Sequence, residues 1–316
     1  VQAKDPADAV ALWHNSDAAM YIAGGTDLLP NLKHRLASPK LLVGISGALP
    51  RGVSEVDGEL VIGAATTLAA LSRAGELPML AHAAGQVAGP QLRNMGTIGG
   101  NILLDTRCLF LNQSEFWRKS LGYCLKVEGT WCHVVGGPKT CVATQSSDCV
   151  PALLVLNARI RLLGPTGTRE LALTDLFRFN GMDHLTIAPG ELLTHVVVPK
   201  PSASFRGSYD KLRTRGAIDF PQLGVAVGGE FSGTGEACVA TDLRVVLGAI
   251  NPQPRAIKGI DAFNGRPLTD GVLDELGALV QKRARPQASV HGEPSWRRAM
   301  ARITTIRAFR SLRDQG

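Results

Sequence analysis

Four cysteines, Cys108, Cys124, Cys132 and Cys141, fall in one short stretch of a 316-residue chain. They follow two glycine-bearing segments, YIAGGTDLLPN (Tyr21–Asn31) and RNMGTIGGN (Arg93–Asn101). Clustered thiolates hold a soft metal or an iron–sulfur cluster, and glycine turns present backbone N–H groups to a phosphate-bearing cofactor. The two devices together point to an electron-transfer protein. Fifteen, seven and eight residues separate the cysteines. No Cys-x-x-Cys occurs, which disfavours a zinc ribbon or finger and a bacterial ferredoxin run. Zinc, a [4Fe–4S] cluster and four unrelated thiols all remain open on spacing alone. His133, beside Cys132, reads as an exposed or hydrogen-bonded histidine. Cys149 and Cys238 sit in apolar text (DCVPALLVL, ACVATDLRVV) and read as buried, inert thiols.

The turn AGGTD (Ala23–Asp27) has the small residues that let a backbone approach a diphosphate closely. It is neither the Gly-x-Gly-x-x-Gly fingerprint nor a P-loop, and GGPKT near Lys139 also fails the P-loop spacing. One such turn is only a tight turn. Two, each beside an apolar strand, leave a nucleotide cofactor and plain turns equally open. PADAVALWHN reads as a helix, AAMYIAGG as a buried strand entering the first turn, and KLLVGISG as a second strand, together a small parallel α/β lobe. A second lobe begins near Arg51. ELVIGAAT reads as a strand, LAALSRAGELPMLAHAAGQV as helical, and TIGGNILLD as a turn into a strand. From about Ser202, YDKLRTR, LGVAVGGEFS and DLRVVLGAI read as three antiparallel strands, with helical text to the end. The Pro199-Lys200-Pro201 step marks a boundary, because prolines resist both helix and central strand.

The composition is that of a globular protein, 45% hydrophobic and 19% charged. Apolar runs such as Val150–Leu156 are too short to span a bilayer. VQAKDPADAV has no basic-then-apolar secretory pattern, so a cytoplasmic location is expected. The net charge of +7 invites a nucleic-acid reading, but basic residues are scattered and aromatics are only 5%. The basic excess gathers in QKRARP and WRRAMARITTIRAFRSLR. In the latter, Trp296, Met300, Ile303, Ile306 and Phe309 recur at helical spacing, as expected of a packed helix with a solvated basic face. No Ser-His-Asp grouping, HExxH motif or paired-carboxylate motif appears, and no catalytic residue is assigned.

AGGTDLLPNLK, GPQLRNMGTIGGN and SSDCVPALLVLNA resemble, in order, three signature stretches of the flavin-binding medium subunits of the molybdenum hydroxylases. The resemblance spans nearly the whole chain. Most members run directly from GGN into SD; here Asp105–Ser147 interrupts that join. In its DTRC, NQSEFWR, GYCLK, CH and CVAT pieces, this insertion is similar to that of the 4-hydroxybenzoyl-CoA reductase type of β subunit. The resemblance implies an α+β fold: FAD-binding lobe 1 over 1–50, a mixed-sheet lobe 2 over 51–200 with a [4Fe–4S] insertion at 105–147, and a C-terminal domain of antiparallel sheet and helices over 201–316.

It also implies FAD contacts at Ile22, Ala23, Gly24, Gly25, Thr26, Asp27 and Leu28, at Thr97, Gly99, Gly100 and Asn101, and at Asp148. Thinner local matches add Val87, Leu193 and Lys211. Cys108, Cys124, Cys132 and Cys141 would ligate the cluster. The implied partners are a large molybdenum-cofactor subunit, a small [2Fe–2S] subunit in a dimer of heterotrimers, and ferredoxin as electron donor. The implied reaction is reductive dehydroxylation of 4-hydroxybenzoyl-CoA to benzoyl-CoA. The other readings are a molybdenum hydroxylase acting on a different aromatic or heterocyclic substrate, and a non-catalytic zinc-stabilised protein.

Overall fold

Local signals near the N-terminus translate directly into structure. The computed structural model describes residues 1–315. Helix Pro6–His14 starts with proline in its first turn, and Asp5 caps it by accepting from the Asp8 N–H at 2.8 Å. Strands Ala19–Ile22 and Leu41–Gly44 then pair in parallel, Ala19 opposite Leu41. The first glycine turn leaves the C-terminal end of Ala19–Ile22, where α/β units bind ligands.

The second sheet runs Val53–Val56, Glu59–Gly63, Leu192–Pro199, Arg159–Gly164, Gly167–Ala172 in spatial order. Every neighbouring pair is antiparallel, so the expected mixed sheet is corrected. The reason is local. Asp57 and Gly58, both at positive φ (53° and 77°), close a two-residue hairpin between the first two strands. A second correction concerns TIGGN, which forms the short helix Ile98–Ile102 and not a turn into a strand. Thr97 overrides the poor helix propensity of two glycines by accepting from the Gly100 N–H at 3.1 Å.

The C-terminal sheet has the three expected strands, Phe205–Leu212, Leu223–Ser232 and Val239–Gly248, and adds a two-residue edge, Arg255–Ala256. Its two faces enter different cores. Leu223, Val225 and Val227 pack with helices Asp270–Arg283 and Pro294–Arg313, while Ala226 and Val246 join the core of the first two lobes. The buried face of Pro294–Arg313 also differs from expectation. Trp296 and Ile303 are exposed, whereas Arg297, Ala301, Thr305, Ala308, Phe309 and Leu312 are buried. Arg297 enters because three carbonyls satisfy it: those of Gln222 (2.7 Å), Gln287 (2.8 Å) and Ala249 (2.5 Å).

The insertion is ordered and bound to every other part of the chain. Its arms pair through Arg107 N–H to Thr144 O (2.8 Å) and Thr144 N–H to Arg107 O (2.7 Å). Leu109 N–H reaches Ser289 O, and Gln145 N–H reaches Asn251 O, both in the C-terminal domain. Helix Glu115–Ser120, capped by Ser114, sends the buried Arg118 to the His34 carbonyl of the first lobe at 2.8 Å. Lys126 Nζ donates to Thr106 Oγ1 (2.6 Å) and Gly181 O (2.9 Å), fastening the insertion to the second lobe. Among the described residues no helix is long and apolar enough to cross a membrane.

Candidate functional site

The two glycine segments meet. A Cβ on Gly24 would collide with the Met95 carbonyl, and one on Gly96 would lie 3.3 Å from Thr26 Oγ1. Gly25 has φ +71°, a conformation that favours glycine. Between them, the first lobe, the second lobe and the loop near Phe220 enclose a mainly apolar cavity of about 510 Å³. It is lined by Ile22, Ala23, Gly24, Gly25, Thr26, Asp27, Leu28, Val87, Thr97, Gly99, Gly100, Asn101, Asp148 and Leu193. Fourteen of the fifteen residues expected to touch a flavin therefore face one space.

Lys211 is the exception. It lies beneath the cavity wall, its side chain 1% exposed, and donates from Nζ to Asp148 Oδ2 (2.8 Å) and to the Gln86 carbonyl (3.0 Å). Tyr209 donates its hydroxyl to Asp148 Oδ1 at 2.7 Å. Burial pushes the Asp148 carboxyl up from its ordinary range, while Lys211 and Tyr209 pull it back. Lys211 thus acts on the cavity through Asp148.

The two turns differ in their free donors. Ile98, Gly99, Gly100 and Asn101 give their N–H groups to Thr66, Ala64, Thr97 Oγ1 and Thr97 O. In the second turn only the Thr97 N–H lacks a protein acceptor among the described residues. Among the described residues, no protein acceptor takes the N–H groups of Gly24, Gly25, Thr26, Asp27 or Leu28. These half-buried amides, without protein acceptors, can receive the oxygens of an anionic ligand.

Sequence reading missed Arg107, Ile218 and Phe220, which also line the cavity. Arg107 pairs with Asp27, and its guanidinium stacks over the Phe220 ring, 4.4 Å from the centroid. Burial lowers the Arg107 pKa to about 10, so it is still a cation at neutral pH. The signal available was adjacency: Arg107 immediately precedes Cys108.

The four cysteines of the insertion are all free thiols. Burial raises Cys108 to about 11, with the thiols of Cys124 and Cys141 adding to the rise and the amides of Phe110 and Leu111 opposing it. Burial also raises Cys141, which Cys132 and Cys124 push further and Ala143 and Lys126 oppose. Cys108 and Cys141 are thus each influenced by other thiols of the insertion. Yet among the described residues no three His, Cys, Asp or Glu side chains stand close enough to share one metal ion. A tetrahedral zinc site would bring thiolates to about 4 Å apart, given Zn–S near 2.3 Å, so this arrangement does not suit one. His133 is hydrogen-bonded through Nε2 to the Tyr123 carbonyl at 2.6 Å and stacks on Phe110. Cys149 and Cys238 are buried, as expected.

Comparison with known proteins agrees with this geometry. Residues 1–201 match the family described as the FAD binding domain in molybdopterin dehydrogenase, and residues 207–312 match the CO dehydrogenase flavoprotein C-terminal domain. The chain is 34% identical to the aldehyde oxidoreductase FAD-binding subunit PaoB of Escherichia coli K12, over 81% of this chain and 82% of that protein. It is 31% identical to the carbon monoxide dehydrogenase medium chain of Afipia carboxidovorans, over 96% and 93%. The carbon monoxide dehydrogenase structure from Hydrogenophaga pseudoflava superposes with a TM-score of 0.79 at 25% identity, covering 98% of this chain and 95% of that one. The chain belongs to the FAD-binding medium subunits of the molybdenum hydroxylase family.

Proposed function

We propose that this chain is the FAD- and [4Fe–4S]-carrying electron-transfer subunit of a molybdenum enzyme of the 4-hydroxybenzoyl-CoA reductase type. The observation that carries the reading is the four-thiol insertion, whose Cys108 adjoins a residue of the flavin cavity. Four thiols gathered in one insertion, with Cys108 and Cys141 each raised further by other thiols of the group, suit a cluster that spreads its ligands more widely than one ion does. Cys108, Cys124, Cys132 and Cys141 would be the ligands. The amides of Gly24–Leu28 would hold the FAD diphosphate, and Ile22, Ala23, Val87, Thr97, Gly99, Gly100, Asn101, Asp148 and Leu193 would form its walls. FAD and the cluster supply storage and transfer of electrons, one or two at the flavin and one at the cluster.

In this reading the units are 1–50, 51–200 with the insertion at 105–147, and 201–316. The partners are a large molybdenum-cofactor subunit and a small [2Fe–2S] subunit, assembled as a dimer of heterotrimers. This chain carries no catalytic residue, and dehydroxylation of 4-hydroxybenzoyl-CoA takes place on the large subunit. The donor is ferredoxin, and the net charge of +7 suits an acidic carrier. The relatives named for aldehyde and carbon monoxide support the second reading, a molybdenum hydroxylase acting on a different substrate. The test is turnover of the purified complex with reduced ferredoxin or NADH. Benzoyl-CoA formation with ferredoxin, falling steeply with salt, is expected. Turnover with NADH and none with ferredoxin would overturn the donor assignment, and no benzoyl-CoA with either would overturn the substrate.

A further inference from the structure

We infer that Arg107, carried by the cysteine insertion, is the counter-charge for the FAD diphosphate, so that the insertion itself helps to hold the flavin. The inference rests on FAD binding and not on the four-iron reading. Six charged side chains line the cavity: Asp27, Asp105, Asp148, Glu191, Asp219 and Arg107. FAD brings a dianionic diphosphate into that setting. Four of the five carboxylates are paired by cations outside the lining: Asp105 by Lys126, Asp148 by Lys211, Glu191 by Arg169 and Asp219 by Arg215. Among the described residues, only the Arg107–Asp27 pair has both members in the wall. Arg107 is therefore the one cation among the described lining residues that can face an anionic ligand.

Its placement fits the role. Asp27 ends the turn whose N–H groups lack protein acceptors, so the guanidinium sits beside the phosphate-receiving amides. Stacking on Phe220 fixes the guanidinium plane. Among the described residues Asp27 is the only side-chain or backbone acceptor for that guanidinium, which leaves Nε and Nη1 available. In the second turn the N–H groups of Ile98, Gly99, Gly100 and Asn101 already have protein acceptors, which leaves that of Thr97. A charge-assisted contact from Arg107 completes the donor set.

The full chain, stripped of flavin, is titrated with FAD by flavin fluorescence and with ADP, which carries a diphosphate without a flavin. Arg107→Gln should weaken both ligands about tenfold or more, the loss of one hydrogen bond to a charged group. It should also flatten the salt dependence of binding, and Arg107→Lys should recover most of the affinity. Asp27→Asn, which frees the guanidinium, should bind FAD as tightly as the parent or more so. The inference fails if Arg107→Gln binds FAD and ADP within twofold of the parent. It also fails if Asp27→Asn loses as much affinity as Arg107→Gln, because Arg107 would then only support Asp27. Should Arg107→Gln not fold, Arg107→Lys and Asp27→Asn decide by the same criteria. None of these readouts needs iron, so they stand apart from the cluster question.

Discussion

Replacing Lys211 with methionine should destabilise the chain more than any surface change, although Lys211 touches nothing in the cavity. Its ammonium and the Asp148 carboxylate lie 2.8 Å apart with side-chain exposures of 1% and 4%. They join strand Phe205–Leu212 to the start of helix Cys149–Val155. Methionine keeps the packed volume but leaves the carboxylate with Tyr209 alone. Breaking one side of a buried pair costs about 3–5 kcal/mol. Tyr209→Phe, which removes one hydrogen bond to the same carboxylate, should cost about 1.5–3 kcal/mol. The assay is urea unfolding of the chain, with unchanged slope required for each comparison. Asp148→Asn combined with Lys211→Met should recover part of the loss, because no unpaired charge is then buried. Without Lys211 the Asp148 carboxyl titrates higher still in the folded state than in the unfolded one. The folded variant then holds a proton that the unfolded chain lacks, so its deficit should shrink as pH falls. A loss below about 1 kcal/mol for Lys211→Met, or strict additivity in the double variant, would refute the reasoning.

Other changes have equally definite outcomes. Gly24→Ala drives a Cβ into the Met95 carbonyl and separates the glycine segments; FAD content should drop severalfold and stability by about 1–3 kcal/mol, read by flavin absorbance and thermal melting. His184 is buried, and burial lowers its pKa below 6.5 despite Asp105 and Asp183, with Lys126 adding to the lowering. The unfolded chain therefore takes up this proton first as pH drops below 6.5, so stability present above that value should be lost on acidification, and His184→Gln should flatten that limb of a Tm–pH curve. Arg118→Ala removes the donors to the Gln113 and His34 carbonyls and should make residues 105–147 the first site of limited proteolysis, while the parent stays intact under the same conditions.

Much of the architecture was legible because it follows from short-range rules. Apolar runs marked Leu223–Ser232 and Val239–Gly248, and the two glycine segments supplied eleven of the expected residues of the cavity wall. The failures have physical causes. TIGGN looked unhelical because glycine is a poor helix former, yet one threonine hydroxyl at the N-cap sufficed. The buried face of Pro294–Arg313 was misjudged because a periodicity count treats arginine as solvent-facing, whereas three carbonyls wait for Arg297. Arg107 and Phe220 are 113 positions apart in the sequence, 220 less 107, and no local pattern could foretell their stacking. Lys211, matched to a flavin position, lies behind the cavity wall and contacts its member Asp148.

The most direct test of the account is iron, sulfide and flavin analysis with a visible spectrum, on the chain purified anaerobically without its partners. The account predicts one FAD and about four irons with matching sulfide per chain, and loss of the irons but not the FAD in Cys124→Ser. Flavin without iron, or a single zinc in its place, would contradict the electron-relay reading of the insertion.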